Sequence, residues 1–221
     1  RQLTNHDLAQ MVETTDEWIR ERSGIGARHV DGKVTEMSTA AGRDALAMAG
    51  VDPADVDLLL LATCTSDQQF PASASVVQDN LGMSCGAIDM NAACSGFVYG
   101  LVTAMQFSAG GVDRILLIGS DALSGITDWT DRGTCVLFGD GAGVVVIERS
   151  ADTPTLLGWD LMSDGSAAGI LSCEHGGKIF MNGKEVFRRA VLAVEKAGRN
   201  AMERAGVDID DIALVVPHQA N

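Results

Sequence analysis

An internal repeat constrains the fold of this chain more than any other feature of its sequence. Residues 41–52 recur in closely similar form as residues 197–208, a constant 156 positions later, and the correspondence continues to Leu58 and Leu214. Each copy has the pattern of a helix that ends at a glycine, followed by a turn and a buried strand. The repeat therefore predicts two similar halves that share one fold.

The two copies differ in the length of chain that comes after them. We assign residues 1–150 to the first half and residues 151–221 to the second half. The first half continues through further predicted strands and helices after its repeated strand, whereas the second half ends shortly after its own. By this symmetry, we expect on the order of 80 to 90 residues of the second half to be absent.

The order of apolar runs and helical stretches indicates an α/β protein. Apolar runs rich in β-forming residues occur at 58–63, 87–90, 114–119 and 214–216. They alternate with stretches of helical period at 38–49, 73–81, 94–108 and 185–205. This alternation is typical of a largely parallel sheet covered by helices on both faces. A glycine-rich stretch at 139–143 lies between two apolar runs and predicts a hairpin.

Charge, hydropathy and cysteine content exclude several classes of function. The formal net charge of −14 argues against non-specific binding of nucleic acid, which requires a basic surface. We expect no membrane span, because no run of ~18 apolar residues occurs. The five cysteines are odd in number and lack the paired spacing of metal ligands or of a disulfide framework. We therefore expect a cytoplasmic protein with no metal site.

Cys94 is a candidate nucleophile because of its position in the predicted fold. It follows the predicted strand at 87–90 and stands at the N-terminus of the next helix. There the free N–H groups and the helix dipole would lower the pKa of the thiol and favour a nucleophilic thiolate. An inert buried cysteine fits the same position equally well. Cys64 and Cys135 adjoin apolar runs, and we expect both to be core residues.

His218 is a second candidate for a chemical role. It follows the apolar run at 214–216 and a proline, which places it at the carboxyl end of a predicted strand, where α/β proteins bind ligands. In the repeat, position 218 corresponds to Ala62, so His218 and Cys94 are expected at the same edge of the sheet. A structural histidine is the alternative, and it stays open at this point.

Trp18 and Arg22 lie four residues apart on one face of a predicted helix near the N-terminus. An aromatic plane beside a guanidinium group can stack on an adenine and pair with a phosphate. A tryptophan that anchors a surface helix, with solvated arginines around it, accounts for the pattern equally well. The two interpretations remain open from the residues alone.

Several stretches of the chain match those of a known enzyme family. They are TTDEWI at 14–19, SGI at 23–25, FP at 70–71, AACSGF at 92–97, DRGT at 131–134, FGDGAG at 138–143, MNGKEVF at 181–187 and VPHQAN at 216–221. In these stretches the chain resembles β-ketoacyl-acyl carrier protein synthase III, the initiating condensing enzyme of type II fatty-acid synthesis in the thiolase superfamily. The resemblance covers nearly the whole chain.

The resemblance implies a duplicated, five-layered thiolase-like fold and a homodimer. It implies that Cys94 accepts the acyl group and that the backbone N–H of Cys94 contributes to the oxyanion hole. It also implies that His218 hydrogen-bonds the malonyl thioester carbonyl during decarboxylation. The asparagine that partners this histidine in the family lies in a later Gly-Asn-Thr-Ser motif, which this sequence does not contain.

The resemblance also assigns residues to the binding of coenzyme A. The positions that hold its adenine and phosphates correspond to Trp18, Arg22 and Arg132. The positions that line the pantetheine tunnel correspond to Met181, Gly183 and Phe187. Ahead of this tunnel, the segment from Ser163 to Phe180 is shorter than the family's usual insertion, which leaves the details of the acyl pocket and the dimer contact open.

Partner-facing residues follow from the same resemblance. Phe70 resembles the phenylalanine that one subunit contributes to the acyl pocket of the other. Arg188 lies where the family presents a basic residue to acyl carrier protein, and Arg189 lies beside it. Basic residues at the tunnel mouth would offset the repulsion between an acidic enzyme and an acidic carrier protein.

The activity implied by the resemblance is a ping-pong condensation. An acyl-CoA acylates Cys94, and the carbanion formed by decarboxylation of malonyl-acyl carrier protein then attacks that thioester and gives 3-ketoacyl-acyl carrier protein. No cofactor is implied, because coenzyme A enters as part of the substrate. Two alternatives stay open: a ketosynthase III-like enzyme of secondary metabolism with another starter or acceptor, and a non-catalytic dimerisation module.

Overall fold

The computed structural model describes residues 1–150 and 156–218, which form two compact units. The first unit comprises Arg1, His29–Ser124 and the described part of Gly139–Thr153. The second unit comprises Gln2–Arg28, Gly125–Phe138 and the described part of Pro154–Asn221. The predicted boundary after residue 150 separates two halves that share a sequence repeat, whereas these units are defined by the contacts within them. The boundary between the halves therefore stays a prediction.

Strands and helices alternate along the chain, as the sequence predicts for an α/β protein. The strands are β1 (Gln2–Thr4), β2 (Ala27–His29), β3 (Leu58–Ala62), β4 (Gly86–Met90), β5 (Arg114–Ala122), β6 (Asp140–Glu148), β7 (Leu171–Ser172) and β8 (Phe180–Met181). The α-helices are α1 (Asn5–Leu8), α2 (Asp16–Ser23), α3 (Val34–Ala49), α4 (Ser73–Asn80), α5 (Gly96–Ala109) and α6 (Gly183–Ala205). Within the described residues, no helix combines the length and the apolar character needed to cross a bilayer.

A four-stranded sheet in the order β4-β3-β5-β6 forms the centre of the first unit. β3 runs parallel to both β4 and β5, and β6 pairs antiparallel with β5. Every residue of β3 is buried, which agrees with its unbroken apolar sequence, because a strand covered on both faces needs no polar side. Leu59 and Leu61 pack into one core cluster, and Leu58 and Leu60 pack into another.

Helices cover the two faces of this sheet. Val34 and Leu46 of α3 and Val77 of α4 belong to the cluster of Leu59, whereas Ala104 of α5 belongs to the cluster of Leu60. Gly100 permits the close approach of α5 to the sheet, because a Cβ atom at this position would lie 2.6 Å from a methyl carbon of Leu117.

Carboxylates from elsewhere in the first unit cap two of these helices. Neither α3 nor α4 has a side-chain cap at its own N-cap residue. Asp67 instead accepts hydrogen bonds of 2.9 Å from the N–H groups of Val34 and Thr35. Asp89 of β4 accepts bonds from the N–H groups at the start of α4, at 2.9 and 2.7 Å. These bonds satisfy helix donors that would otherwise lack partners and fix each helix start relative to the sheet.

The predicted repeat is present in the backbone of both copies. Gly50 ends α3 and Gly206 ends α6, with φ of 66° at both positions. The next residue of each copy closes the helix end in the same way, since Val51 donates to Leu46 at 3.0 Å and Val207 donates to Met202 at 3.1 Å. A 3-10 turn follows in each case, at Pro53–Asp55 and at Ile209–Asp211. The duplication of a helix, its left-handed cap and a turn is therefore confirmed.

Two predicted strand segments are wrong. The run at 214–216 is irregular and exposed, because it pairs with no strand among the described residues and a strand is defined by its hydrogen-bonded neighbour. The apolar run at 135–138 lies in turns, so the predicted hairpin around 139–143 does not form. β6 begins at Asp140 and pairs instead with β5, which ends at Ala122. A connection longer than a hairpin turn joins the two strands.

The second unit contains α6, short two-stranded sheets and the N-terminal helices. β7 and β8 pair antiparallel just before α6, and β1 and β2 form a separate two-stranded sheet. Arg28 is buried, and its guanidinium donates to the side chain of Asn5 at 2.9 Å and to the carbonyl of Val136 at 3.1 Å. Desolvation lowers the pKa of Arg28. These bonds connect β2 to the turns at 132–137 within this unit.

Candidate active site

Cys94 lies in a tight turn between a strand and a helix of the first unit. β4 ends at Met90, a 3-10 turn spans Ala93–Ser95, and α5 starts at Gly96. Ala93 has a φ of 45°, in the left-handed region that residues other than glycine rarely adopt. A small side chain reduces the cost of such a conformation. The predicted location of Cys94 at a helix N-terminus is confirmed.

Cys94 lies among exposed residues. Cys94 is exposed, and so are Ala93 and Ser95 on either side of it. Gly96 is buried, and a Cβ atom there would lie 3.2 Å from the Cβ of Ala62 at the end of β3. The start of α5 therefore lies directly against the carboxyl end of the sheet, and it presents the thiol at that edge.

The predicted pKa of Cys94 is wrong in direction. Its pKa is raised, mainly because surrounding protein atoms desolvate the thiolate and secondly because of the negative charge of Asp121. A hydrogen bond from the backbone N–H of Cys94 acts in the opposite direction but is weaker. Desolvation and a like charge outweigh this backbone hydrogen bond, and they favour the neutral thiol.

Asp121 is a site residue that the sequence analysis did not identify. One carboxylate oxygen, Oδ1, accepts hydrogen bonds from the backbone N–H of Cys64 at 2.8 Å, from Thr65 Oγ1 at 3.1 Å and from Thr63 Oγ1 at 3.2 Å. Thr63 in turn donates its N–H to the carbonyl of Met90 at 2.9 Å. Asp121 thus connects the ends of β5 and β3 at the edge that carries Cys94. The sequence feature that would have indicated Asp121 is a charged residue near the carboxyl end of an apolar strand.

The other cysteines differ from Cys94 in their surroundings. Burial and then Asp121 raise the pKa of Cys64 to about 12, so this thiol stays protonated at neutral pH. Cys135 is fully buried, as predicted, whereas Cys64 is only half-buried. Burial raises the pKa of Cys85 and of Cys135 as well. Cys173 is exposed, in the irregular segment between β7 and β8.

His218 lies in the second unit, in the irregular segment that follows Ile209–Asp211. It is exposed. The last three residues of its motif, 219–221, lie outside the described residues. The proposed role of His218 in decarboxylation therefore stays a prediction.

Trp18, Arg22 and Arg132 lie together in the second unit. Thr15 caps α2 by accepting a hydrogen bond of 3.1 Å from the N–H of Trp18. The guanidinium carbon of Arg22 lies 4.4 Å from the centroid of the Trp18 ring, and that of Arg132 lies 4.9 Å from it. Arg132 also donates to the carbonyl of Glu13 at 3.0 Å. An aromatic ring beside two guanidinium groups can stack on a base and pair with phosphates.

The predicted tunnel residues lie at the start of α6 and in the strand before it. Met181 belongs to β8, and Gly183 is the first residue of α6. Asn182 between them caps the helix by accepting from the N–H of Glu185 at 3.4 Å. Phe187, one turn into α6, exposes 56% of its surface, and Val191, Leu192 and Val194 of the same helix are similarly exposed.

Phe70 and the two arginines of α6 are also exposed. Phe70 exposes 83% of its surface in the first unit. Arg188 and Arg189 both pair with Glu185 at 2.7 Å, and Arg189 pairs in addition with Asp164 at 3.1 Å. Hydrogen bonds from Arg188 and then Arg189 lower the pKa of Glu185 to about 2. The sequence pattern alone does not indicate that Glu185 pairs with these arginines.

No cluster of three or more residues able to hold a metal ion occurs in the described residues. The chemistry available at Cys94 is nucleophilic attack by its sulfur. The cluster around Trp18 supplies groups for a nucleotide, and the start of α6 supplies exposed apolar and basic groups.

Comparison with known proteins identifies close relatives over the whole chain. Residues 88–175 match the family model of 3-oxoacyl-[acyl-carrier-protein] synthase III. A β-ketoacyl-[acyl-carrier-protein] synthase III of Listeria welshimeri is 46% identical over 226 aligned residues, which cover 100% of this chain and 72% of that protein.

Solved structures show the same similarity. The 3-oxoacyl-[acyl-carrier-protein] synthase III of Aquifex aeolicus superimposes with a TM-score of 0.96 at 43% identity, over 100% of this chain and 73% of that chain. The priming β-ketosynthase of the R1128 polyketide biosynthetic pathway superimposes with a TM-score of 0.89 at 34% identity, over 100% of this chain and 71% of that chain.

Proposed function

Because the chain belongs to the β-ketoacyl-[acyl-carrier-protein] synthase III family of condensing acyltransferases, which initiate fatty-acid synthesis, we propose that Cys94 carries the acyl group through the reaction. The observation that carries this proposal is the exposed thiol of Cys94 in the strained turn between β4 and α5. Family membership removes the reason to consider a non-catalytic module. The structural similarity also confirms the predicted thiolase-like fold.

The first half-reaction transfers an acyl group from coenzyme A to Cys94. The sulfur of Cys94 attacks the thioester carbonyl and forms a bond to the carbonyl carbon, while the bond between that carbon and the coenzyme A sulfur breaks. The proton lost from the Cys94 thiol ends on the departing sulfur, so free coenzyme A leaves as a thiol. The raised pKa of Cys94 favours the protonated thiol in the free enzyme. The backbone N–H of Cys94 would donate to the carbonyl oxygen as it becomes negative.

The second half-reaction forms the new carbon–carbon bond. Malonyl-acyl carrier protein loses carbon dioxide, and the resulting carbanion attacks the acyl carbon on Cys94 and releases the sulfur. The product is 3-ketoacyl-acyl carrier protein. His218 would hydrogen-bond the malonyl thioester oxygen while negative charge develops there, a role carried over from the family.

Coenzyme A would bind with its adenine and phosphates at Trp18, Arg22 and Arg132. The pantetheine arm would pass Met181, Gly183 and Phe187 on its way to the thiol. The distances of the two guanidinium groups from the Trp18 ring support the first assignment. Coenzyme A acts here as a substrate carrier, and we propose that no cofactor is needed.

The remaining proposals concern partners and location. Acyl carrier protein would approach Arg188 and Arg189, and a second copy of the chain would receive Phe70 in its acyl pocket. The high exposure of Phe70 supports an intermolecular role, because a lone phenylalanine gains most when a partner covers it. We propose a cytoplasmic homodimer that binds no nucleic acid and no membrane.

An assay of the complete reaction tests the proposed function. The protein is incubated with malonyl-acyl carrier protein and a series of acyl-CoA starters, and mass spectrometry records acylated protein and 3-ketoacyl-acyl carrier protein. We expect an acetyl-CoA-like starter to give both species. Failure to acylate with any starter would contradict the proposal.

A second candidate function rests on the similarity to the priming β-ketosynthase of a polyketide pathway. A ketosynthase III-like enzyme of secondary metabolism would share the same nucleophile and differ in starter or acceptor. The same series distinguishes the two functions. A strong preference for an unusual starter, with little turnover of acetyl-CoA, would favour secondary metabolism.

A further inference from the structure

A cluster of four charged residues lies at the start of α6. It consists of Glu185, Arg188 and Arg189 in the first turns of the helix and Asp164, which precedes the 3-10 helix Gly165–Ile170; we call it the Glu185 cluster. Two carboxylates face two guanidinium groups, so the cluster has no net charge of its own. An acidic partner that approaches Arg188 therefore meets paired cations.

Arg189 is fixed from two sides. Its Nε donates to Glu185 at 2.7 Å, and its Nη1 donates to Asp164 at 3.1 Å. Asp164 also accepts from the N–H of Ser166 at 3.1 Å and so caps the 3-10 helix. Arg189 thus connects this short helix to α6. A partner would have to break the connection to use Arg189.

Arg188 is held by Glu185 alone among the described residues. Its Nε and Nη2 donate to the two oxygens of Glu185, at 3.0 and 2.7 Å. The Arg188 side chain is 61% exposed, compared with 29% for Glu185. Ion pairs this exposed contribute little to stability, typically below ~1 kcal/mol. A carboxylate from a partner can therefore replace Glu185 at Arg188.

We propose that Glu185 competes with acidic side chains of acyl carrier protein for Arg188 and thereby weakens carrier-protein binding. The proposal rests on the proposed function, in which malonyl-acyl carrier protein is the second substrate. The chain carries a net charge of −14, so an acidic partner is repelled everywhere except at local basic groups. A weak contact at Arg188 permits binding of the loaded carrier and release of the product.

The substitution Glu185→Gln tests this competition in the full chain. Glutamine is similar in size and in helix propensity, but its neutral amide holds Arg188 less strongly. We expect the KM for malonyl-acyl carrier protein to fall by about threefold at low salt, with little change at high salt. The rate of Cys94 acylation by acetyl-CoA should not change. Glu195→Gln is the matched control, because Glu195 pairs with Arg199 at 3.0 Å on the same helix.

The charge reversal Arg188→Glu separates failure of this inference from failure of the carrier-protein assignment. If Arg188→Glu impairs the malonyl-acyl carrier protein step and Glu185→Gln leaves its KM unchanged or raises it, the competition is refuted while the carrier-protein site stands. If Arg188→Glu has no effect on that step, the carrier-protein site itself is wrong, and the competition fails with it. A lower KM in Glu185→Gln that also appears in Glu195→Gln reflects overall charge and overturns the inference.

Discussion

The carboxylate of Asp121 accepts a hydrogen bond of 2.8 Å from the backbone N–H of Cys64, and its charge also acts on the nearby thiols. Asp121 raises the pKa of Cys64 and of Cys94, in each case after the larger effect of desolvation by surrounding protein atoms. One carboxylate therefore has two roles in the first unit. It fixes the residues that follow β3, and its charge adds to desolvation in favouring the neutral thiol of Cys94.

Asp121→Asn separates these two roles. The asparagine oxygen can accept the hydrogen bonds that Oδ1 accepts now, while the negative charge is lost. Because a negative charge raises the pKa of a thiol, we expect the pKa of Cys94 to fall and its alkylation by iodoacetamide near neutral pH to become faster. The pH profile of alkylation measures this shift.

Asp57→Asn is the control for that experiment. Asp57 also accepts backbone hydrogen bonds, from Asp113 at 3.1 Å and Arg114 at 2.8 Å. It lies just before β3, however, and therefore at the amino end of this strand, whereas Asp121 lies near the carboxyl end of β5. The control should leave the alkylation profile of Cys94 unchanged, because Asp57 acts on the pKa of Cys85 and not on that of Cys94. Each variant should lose about 1 kcal/mol of unfolding free energy or less. A slower alkylation in Asp121→Asn would show that Asp121 acts by another route.

Cys94→Ala should abolish acyl transfer from acyl-CoA, because no neighbouring group can replace the thiol in forming the thioester. We expect the free energy of unfolding to change by about 1 kcal/mol or less, since the side chain is exposed and small. Intact-protein mass spectrometry after incubation with acetyl-CoA measures the result.

Cys173→Ala provides the matched control for the nucleophile. Cys173 is also an exposed residue, so each variant removes the thiol of one exposed cysteine. The Cys173→Ala protein should acquire the acyl group at the wild-type rate. An acylated Cys94→Ala protein would refute the assignment of the nucleophile.

Arg22→Ala, combined with Trp18→Ala, should raise the KM for acyl-CoA by about tenfold, the effect of losing ~1.4 kcal/mol of binding. The kcat should change much less, because contacts to a nucleotide remote from the thioester stabilise the ground state and the transition state equally. Steady-state kinetics with acetyl-CoA measures both constants.

The pair of Trp159 and Arg204 offers a control in the same unit. The Arg204 guanidinium lies 5.3 Å from the Trp159 ring centroid, a cation–π contact similar to that of Arg22 with Trp18. Arg204→Ala should leave the KM for acyl-CoA unchanged. An unchanged KM in the double variant would instead assign Trp18 and Arg22 a purely structural role.

Local sequence patterns predicted the helices and the buried strands, because these depend on periodicity and apolar runs within the segment itself. The helix at 73–81 appears as Ser73–Asn80, and the strand at 58–63 appears as Leu58–Ala62. The runs at 135–138 and 214–216 failed because a strand also needs a neighbour, which the local sequence does not specify.

The chemistry of the site likewise depends on neighbours that the local sequence does not specify. The position of Cys94 before a helix followed from the local pattern, but the direction of its pKa shift did not, since desolvation and Asp121 come from distant segments. Glu185 lies within a recognised motif, yet its pairing with Arg188 and Arg189 depends on side-chain geometry. The positions of these reactive and charged side chains along the chain follow from local sequence patterns. Their protonation and pairing depend on residues that only the folded structure brings next to them.

The ion pairs of Glu185 predict a specific dependence of stability on acid. Arg188 and then Arg189 lower the pKa of Glu185 from 4.5 to about 2. A carboxylate with a lowered pKa in the folded state stabilises that state above its unfolded pKa, and this contribution is lost as the pH falls through the folded value. The contribution of Glu185 is therefore complete above about pH 4.5 and declines toward pH 2.

Urea unfolding of the wild type and of Glu185→Gln at several values between about pH 5 and pH 3 tests this dependence. The wild type should be more stable than the variant at the upper end of the range, and the difference should shrink as the pH falls. Glu195→Gln corrects for the loss of a carboxylate from the same helix, since Glu195 pairs only with Arg199 among the described residues. A stability difference that stays constant across the range, or grows toward low pH, would mean that the two arginines do not hold Glu185 ionised in solution.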